Sequence, residues 1–139
     1  VFAINLDASM IICRKFIRGM VKNKWGRIIN ISSVVASTGN PGQSNYVAAK
    51  SALNGLTKSL ALEVATRGVT VNSISPGFID TAMTAKLTDD QRRKITEKTP
   101  MGKMGTGEDI SSLVSFLVSN EAGYITGQNI HVNGGLFLT

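Results

Sequence analysis

Apolar residues recur along the chain with two different spacings, which predicts helices and strands in alternation. Between Ala8 and Lys24 they lie three or four positions apart, the spacing of one face of an amphipathic helix. Arg27–Ser32 and Val69–Ser75 are short runs rich in β-branched residues, typical of buried strands in a parallel sheet. Gly26 and Gly68 precede these two runs as helix-ending glycines. Each strand is therefore predicted to follow a helix.

The helix predicted over Ser44–Thr66 is rich in alanine and leucine, and its apolar residues cover more than one stripe. We expect such a helix to be buried on two sides, by the sheet and by a second subunit. A loop of small residues, Ser33–Gln43, precedes it and contains Gly39, Pro41 and Gly42 as breakers.

The pattern is weakest from Phe78 to Met104, where we expect a mobile lid rather than core, with a short helix starting near Thr88. Thr106-Gly107-Glu108-Asp109 is typical of a capping box and predicts a helix that continues to about Ser119. Gln128–Val132 is the last predicted strand.

Strands that alternate with helices predict right-handed βαβ units, and hence an α/β fold with a Rossmann-like, doubly wound parallel sheet. The chain starts without Met inside an apolar pattern, and it contains no glycine-rich dinucleotide-binding turn. We therefore expect residues 1–139 to be the C-terminal catalytic portion of a single three-layer domain whose N-terminal part is missing. Because the sheet would then be uncovered, we predict that this portion alone is poorly soluble and inactive.

Composition excludes several classes of protein. Hydrophobic residues make up 42% of the chain, which is enough to bury a core and too many for a strongly charged disordered chain. No run of 18 apolar residues occurs, so we expect no membrane span. The single cysteine, Cys13, excludes a disulfide framework and suits a reducing compartment such as the cytoplasm. The single histidine, His131, has no acid or cysteine at ligand spacing, and we predict a structural residue and no metal site.

The net charge of +6 permits an acidic partner. The basic residues are scattered and few aromatic residues lie among them, which argues against a nucleic-acid-binding domain. An acidic substrate or an acidic carrier protein stays open as the partner.

Candidate chemistry is concentrated in Ser33, Tyr46 and Lys50. The tyrosine and lysine are four positions apart at the start of a predicted helix, so their side chains share one face. A free phenol has a pKa of about 10, and a nearby ammonium makes it a better acid–base catalyst by stabilising the phenolate. Ser33 follows a strand at the sheet edge that binds ligands in open α/β folds, where its hydroxyl can donate to a carbonyl oxygen. Each feature alone is common by chance, whereas their joint spacing indicates a catalytic group.

Four residues, together with Asn-x-x-x-Pro-Gly at 72–77, resemble the catalytic tetrad of the short-chain dehydrogenase/reductase family: Asn5, Ser33, Tyr46 and Lys50. The resemblance covers the whole chain. Within the family the chain is most similar to the bacterial 3-oxoacyl-[acyl-carrier-protein] reductases, in the segments 26–33, 43–46, 76–79, 124–127 and 131–135.

The resemblance implies a role for each member of the tetrad. Tyr46 would be the general acid of carbonyl reduction, and Lys50 would hold the nicotinamide ribose and promote ionisation of the phenol. Ser33 would orient the substrate carbonyl, and Asn5 would hold a water that connects Lys50 to solvent. The nicotinamide pocket would be lined by residues that follow the second strand: Pro76, Gly77, Ile79 and Thr81.

The implied reaction is the NADPH-dependent reduction of a 3-oxoacyl-[acyl-carrier-protein] thioester in fatty-acid biosynthesis. Lys24 and Arg67 occupy positions where such reductases present basic residues to the acyl carrier protein. The implied assembly is a homotetramer, a dimer of dimers, to which Leu136–Thr139 and the last strand contribute. The motif that selects NADP or NAD would lie upstream of Val1, so these residues do not show the choice.

Two alternatives stay open. The first is a short-chain dehydrogenase acting on another alcohol or ketone, such as a sugar or a steroid, which the segment from Phe78 to Met104 would decide. The second is a non-catalytic homologue that serves as a partner subunit. The intact tetrad argues against the second alternative, because packing does not require all four residues.

Overall fold

The computed structural model describes residues 1–82 and 84–139 of the protein. Its three strands form one parallel sheet, in the order β1 (Gly26–Ile31), β2 (Val69–Pro76) and β3 (Asn129–Val132). Each neighbouring pair is joined through helical segments, as parallel strands require. The predicted α/β fold with a parallel sheet is confirmed.

The helices of the described residues lie before, between and after the strands. The α-helices are α1 (Ala8–Asn23), α2 (Val35–Thr38), α3 (Ser44–Val64), α4 (Asp89–Lys98) and α5 (Gly107–Val118). A π-helical turn, Ala3–Asp7, precedes α1, so helical structure begins before the predicted start at Ala8. Two 3₁₀ turns, Ala65–Arg67 and Thr84–Lys86, follow α3 and precede α4.

β2 is the centre of the molecule, because its residues from Val69 to Ser75 are all buried. One face of the strand contributes Val69 and Val71 to an apolar cluster with α3. The other face contributes Ile74 to a second cluster with Leu117 of α5. Helices thus cover the sheet on both faces, as the hydrophobic strand pattern predicts.

The prediction that the first strand is buried is only partly correct. Gly26 and Asn30 are buried, whereas Ile31 is 44% exposed and the other β1 residues are half-buried. Among the described residues only β2 pairs with β1, so β1 forms an edge of the sheet. An edge strand lacks the neighbour that would cover its outer side.

The segment from Phe78 to Met104 contains more regular structure than predicted, because α4 has ten residues. Thr88 caps α4 in a complete capping box, which explains why the sequence signal for its start is accurate. Arg92 holds the helix to the preceding chain through an ion pair with Asp80 at 3.1 Å and a hydrogen bond to Thr84 O at 3.3 Å. The mobility of this segment stays a prediction.

Helix α3 buries one stripe against the sheet. The stripe consists of residues three or four positions apart: Ala49, Leu53, Thr57, Ala61 and Val64. The opposite side is open, and the Leu62 side chain there is 84% exposed. The burial of that side by a second subunit stays a prediction. Cys13 of α1 is buried, as expected of a core residue.

Along residues 1–82 and 84–139, the helices are too short or too polar to cross a membrane. Nor does this part of the chain gather three or more His, Cys, Asp or Glu residues as a potential metal site. His131 is half-buried, and its ring packs against Phe137 with 4.8 Å between ring centroids. Burial lowers the pKa of this imidazole below its usual value.

Candidate active site

The loops that leave the three strands are tied to one another at the carboxyl edge of the sheet. Ser32 N–H donates to Ile74 O at 2.7 Å, and Val34 N–H donates to Pro76 O at 2.9 Å. Gly77 N–H in turn donates to Val132 O at 2.9 Å. These backbone bonds hold the predicted site residues Ser33, Pro76 and Gly77 at the same edge of the sheet.

Ser33 lies in the short connection between β1 and α2. Its Oγ accepts a hydrogen bond from Val35 N–H at 3.4 Å. A hydroxyl has one hydrogen to donate and two lone pairs that accept. Because this contact uses a lone pair, the Ser33 hydrogen is left to donate to another group, such as a carbonyl oxygen.

Tyr46 and Lys50 occupy the first two turns of α3, and the Lys50 ammonium lies 5.7 Å from the centroid of the Tyr46 ring. Lys50 Nζ also donates to Ile31 O at 2.7 Å, across the end of β1. Ser32 Oγ donates to Lys50 O at 3.1 Å, so the chain beside Ser33 is bound to the helix that carries the pair. Burial lowers the pKa of the Lys50 ammonium below its usual value.

Asn5 lies in the middle of the π-helical turn Ala3–Asp7. Its side-chain amide donates to Val1 O at 3.1 Å, and the turn packs against α3. Single π turns within α-helices are frequently found at functional sites. The spacing of apolar residues in the sequence gives no indication of this π-helical turn.

Gly77 is required by a close approach of two chain segments. A Cβ at this position would lie 2.8 Å from Asn133 Cα and 2.9 Å from Asn133 Cβ. Asn133 is held in place because its Oδ1 accepts from Gly135 N–H at 2.9 Å and its Nδ2 donates to Phe137 O at 3.0 Å. Asn133 thus packs directly against Gly77, a contact that no local sequence pattern indicates because it joins distant segments.

Ile79 and Thr81 follow Gly77 in the connection to α4. Ile79 forms an isolated parallel bridge with Gly105, and its carbonyl accepts from Thr84 Oγ1 at 3.0 Å. The Thr81 carbonyl accepts from Thr84 N–H at 3.0 Å, which closes a turn immediately before the 3₁₀ turn Thr84–Lys86. The structure thus gives both residues a part in shaping this loop.

Lys24 and Arg67 lie at the other end of the sheet. Lys24 follows α1 with a left-handed backbone, φ 52°, and Arg67 ends the 3₁₀ turn before β2. Gly26 N–H donates to Gly68 O at 3.3 Å, which joins the two connections. The six residues of β1, about 20 Å at ~3.3 Å each, separate this pair from Ser33. The structure therefore brings the two basic residues together but not to the site of Ser33, Tyr46 and Lys50.

A cavity of about 290 Å³ lies beside Ser33, between its loop and α4. Its apolar lining includes Val35, Phe78, Ile95 and Leu136. No sequence motif marks these residues as a group, because they come from four separate parts of the chain.

An acid–base group at the carboxyl edge of a parallel sheet covered by helices is the arrangement of a Rossmann-type enzyme. The chain belongs to the short-chain dehydrogenase/reductase family. The family model described as "Enoyl-(Acyl carrier protein) reductase" matches residues 1–137.

Relatives of this chain include bacterial proteins that are named reductases. The chain is 55% identical over 138 residues to a 3-oxoacyl-[acyl-carrier-protein] reductase FabG of Rickettsia felis, covering 99% of the chain and 57% of that relative. It is 54% identical over 135 residues to the FabG of Haemophilus influenzae, covering 97% of the chain and 56% of that relative. It is also 52% identical over 136 residues to nodulation protein G of a Rhizobium species, covering 98% of the chain and 56% of that relative. The chain thus spans little more than half the length of these relatives.

Proposed function

We propose that this chain is the catalytic portion of an NADPH-dependent 3-oxoacyl-[acyl-carrier-protein] reductase of fatty-acid biosynthesis. The observation that carries the proposal is the position of the Lys50 ammonium beside the Tyr46 ring, next to the loop of Ser33. The names of the relatives support the choice of substrate. The cytoplasm is the proposed compartment, in keeping with a single buried cysteine.

The chemistry that the residues perform is the delivery of a proton to a carbonyl oxygen. Ser33 Oγ, with its hydrogen free, donates to the substrate oxygen and orients the carbonyl. Tyr46 Oη then donates its proton to the same oxygen as negative charge develops there. The Lys50 ammonium stabilises the resulting phenolate, because opposite charges at short range favour the ionised form.

The residues present fit a nicotinamide cofactor. Lys50 Nζ has three N–H donors, and Ile31 O occupies one of them. The remaining donors suit the hydroxyls of a cofactor ribose, and Pro76, Gly77 and Ile79 are the residues that would border its nicotinamide ring. The bound cofactor supplies a hydride to the carbonyl carbon.

Three other functions are less well supported by the residues of the site. An enoyl reductase, the description of the matching family model, reduces a carbon–carbon double bond. It has less need of a hydroxyl such as that of Ser33, whose hydrogen is left to donate to a carbonyl oxygen. A dehydrogenase of another alcohol would use the same proton transfer on a different substrate. A non-catalytic subunit would have no need of the Tyr46–Lys50 arrangement.

We further propose a homo-oligomer, a dimer of dimers. An apolar cavity of about 620 Å³ lies open between α1 and α3, beside Met10 and Ile11, which are 47% and 56% exposed. Contiguous exposed apolar surface of this kind marks an interaction site. The edge strand β3 and Leu136–Thr139 offer a second contact.

The acyl carrier protein is the proposed partner of Lys24 and Arg67. Among the described residues, no carboxylate lies within 4.0 Å of either cation, so both are free to pair with an acidic surface. Their distance from Ser33 implies that a carrier held here reaches the active site of a neighbouring subunit rather than that of the same chain.

The test is a comparison of the two tyrosines of this chain in the full-length protein that contains it. Tyr46→Phe is expected to lower kcat for a 3-oxoacyl thioester by about 10²–10⁴-fold, the usual contribution of general acid–base catalysis. Tyr124→Phe is the matched control, since Tyr124 is fully exposed near the opposite sheet edge. If both variants keep the activity of the unmodified protein, the proposed role of Tyr46 is overturned. If both lose activity to the same extent, the loss indicates a folding defect.

A further inference from the structure

Two polar side chains of β3 lie on the face of the sheet that carries α3. Ile130 and Val132 of this strand pack in the apolar cluster beside α5. Asn129 and His131 alternate with them along the strand and therefore lie on the opposite face. That face is the one on which β2 packs against α3, the helix of the candidate acid–base pair.

Asn129 determines which nitrogen of the His131 ring carries the hydrogen. Asn129 Oδ1 accepts from Ser73 Oγ at 3.1 Å and from Ser75 Oγ at 2.7 Å, which occupies both of its lone pairs. Asn129 Nδ2, which can only donate, lies 3.5 Å from His131 Nε2. Nε2 is therefore the acceptor, and the neutral ring carries its hydrogen on Nδ1. This contact sets the plane of the imidazole.

The other ring nitrogen of His131 is a cost to the folded state. Nδ1 is buried, and no residue of 1–82 or 84–139 offers it a hydrogen-bond partner. A buried N–H without an acceptor destabilises the folded protein, and an apolar side chain at this position would avoid that cost. The imidazole thus indicates a role beyond packing, and Nε2 is the atom that distinguishes it from a hydrocarbon ring.

The His131 ring supports a turn that we name the β3 turn and define as residues 133–137. Gly134 and Gly135 reverse the chain here with left-handed backbones, φ 61° and φ 87°. The turn brings Phe137 back to β3, where 4.8 Å separates the centroids of its ring and the His131 ring. Tilted aromatic pairs at this separation are stabilised beyond the area that they bury. The imidazole therefore holds one end of the β3 turn.

The other end of the β3 turn meets the loop that follows β2. Asn133 Nδ2 donates to Phe137 O at 3.0 Å, so the two ends of the turn are joined. A Cβ on Gly77 would lie 2.8 Å from Asn133 Cα, and Gly77 N–H donates to Val132 O at 2.9 Å. A continuous path of contacts thus leads from the imidazole of His131 through the turn to Gly77.

We propose that His131 is a positioning residue for the nicotinamide cofactor, because it holds the β3 turn against Gly77. This inference rests on the proposed function, in which Gly77 borders the nicotinamide ring. The imidazole acts through the turn: its plane, set by Asn129, determines where Phe137 lies. When the turn is loosened, the Gly77 loop must be ordered at the moment of binding, and this loss of conformational entropy weakens cofactor binding.

The experiment measures the Kd of the full-length protein for NADPH by fluorescence titration. His131→Leu removes the aromatic pair and the contact with Asn129. It also removes the unpaired N–H, so the variant is expected to fold. Its Kd should rise about two- to tenfold, which corresponds to the ~0.5–1.5 kcal/mol of an aromatic pair. Phe137→Leu should raise the Kd similarly, and the double variant should bind no more weakly than either single variant, because both residues act through one contact.

Ile130→Ala is the matched control, since it truncates an apolar side chain on the opposite face of the same strand. It should lower stability and leave the Kd for NADPH unchanged. Amide hydrogen exchange of the cofactor-free protein gives a second readout. Gly135 N–H, which donates to Asn133 Oδ1 within the turn, should exchange faster in His131→Leu than in the unmodified protein.

Three outcomes would overturn the positioning role. They are an unchanged Kd in both His131→Leu and Phe137→Leu, an equal rise in Ile130→Ala, and a double variant whose Kd rises by the product of the two single effects. Phe137→Leu decides the question if His131→Leu does not fold. Failure of the unmodified protein to bind NADPH would instead contradict the proposed function.

Discussion

The ammonium of Lys50 lies 5.7 Å from the centroid of the Tyr46 ring, one helical turn away on α3. The same ammonium donates to Ile31 O at 2.7 Å, so α3 and the end of β1 hold it from two sides. Lys50 is half-buried there, and the cost of burying its charge lowers its pKa. The group that assists Tyr46 is therefore placed by the sheet as well as by the helix.

This burial gives the stability of the protein a defined pH dependence. Between the lowered pKa of folded Lys50 and the usual lysine value of about 10.4, the unfolded chain holds a proton that the folded chain has released. Stability rises with pH wherever the unfolded state binds more protons, so it is expected to rise across this window. Urea unfolding of full-length protein from pH 7 to 10.5 measures the rise.

Lys50→Met removes the titrating group, so the increase in unfolding free energy between pH 7 and 10.5 is expected to become smaller. Lys58→Met, a change at an exposed lysine of the same helix, is the matched control and is expected to keep it. A rise of equal size in both variants would show that Lys50 does not cause it.

Reversal of charge at Lys24 and Arg67 is expected to weaken carrier docking without affecting the chemistry. In the Lys24→Glu/Arg67→Glu variant, KM for a carrier-linked substrate should increase by about tenfold, consistent with up to ~1 kcal/mol for each exposed charge contact. KM for a pantetheine thioester should not change, and raising the salt concentration should reduce the difference, since it screens exposed charges. Equal effects on both substrates would contradict a docking role.

The separation of Lys24 and Arg67 from Ser33 predicts complementation between subunits. A docking-deficient protein and a Tyr46→Phe protein are each expected to be poor catalysts with the carrier-linked substrate. Mixed oligomers of the two should regain activity, because a competent docking surface then serves a neighbouring subunit with an intact tyrosine. Activity that never exceeds the sum of the separate proteins would show that each chain serves its own site.

Gly77→Ala is expected to destabilise the protein and to lower activity. The added Cβ would lie 2.8 Å from Asn133 Cα. Because Asn133 Cα is a backbone atom, the ends of β2 and β3 must shift to make room for it. We expect a loss of about 1–3 kcal/mol in unfolding free energy, as for other overpacked sites. Gly19→Ala, in open space on α1, should instead stabilise by about 0.5–1 kcal/mol. Chemical denaturation of both variants measures the contrast.

Thr106→Ala is expected to remove the N-cap of α5. Thr106 Oγ1 accepts from Asp109 N–H at 3.4 Å, and loss of such a cap costs about 0.5–2 kcal/mol. Ser115→Ala, at an exposed position inside the same helix, should change stability by less than about 0.5 kcal/mol. Equal unfolding midpoints of the two variants would indicate that the cap contributes nothing measurable.

Local sequence patterns were sufficient to predict most helices and strands of this protein, because these elements depend mainly on residues that are neighbours in the chain. The apolar spacing of α1 and α3, the β-branched run of β2 and the two capping boxes all act over a few residues, and each corresponds to an observed element. The four-residue spacing of Tyr46 and Lys50 likewise places both side chains on one helix face. The length of α4 was missed because its periodicity is weak.

Only the tertiary structure decided what depends on distant segments. It joins Ser33 to the end of β2 through Val34 and Pro76, and it sets Gly77 against Asn133. It also assembles the cavity beside Ser33 from residues as far apart as Val35 and Leu136. Such contacts arise when packing brings strand ends together, and no local pattern encodes them. The candidate chemistry of the site was thus visible in the sequence, whereas the shape of the cavity beside it was not.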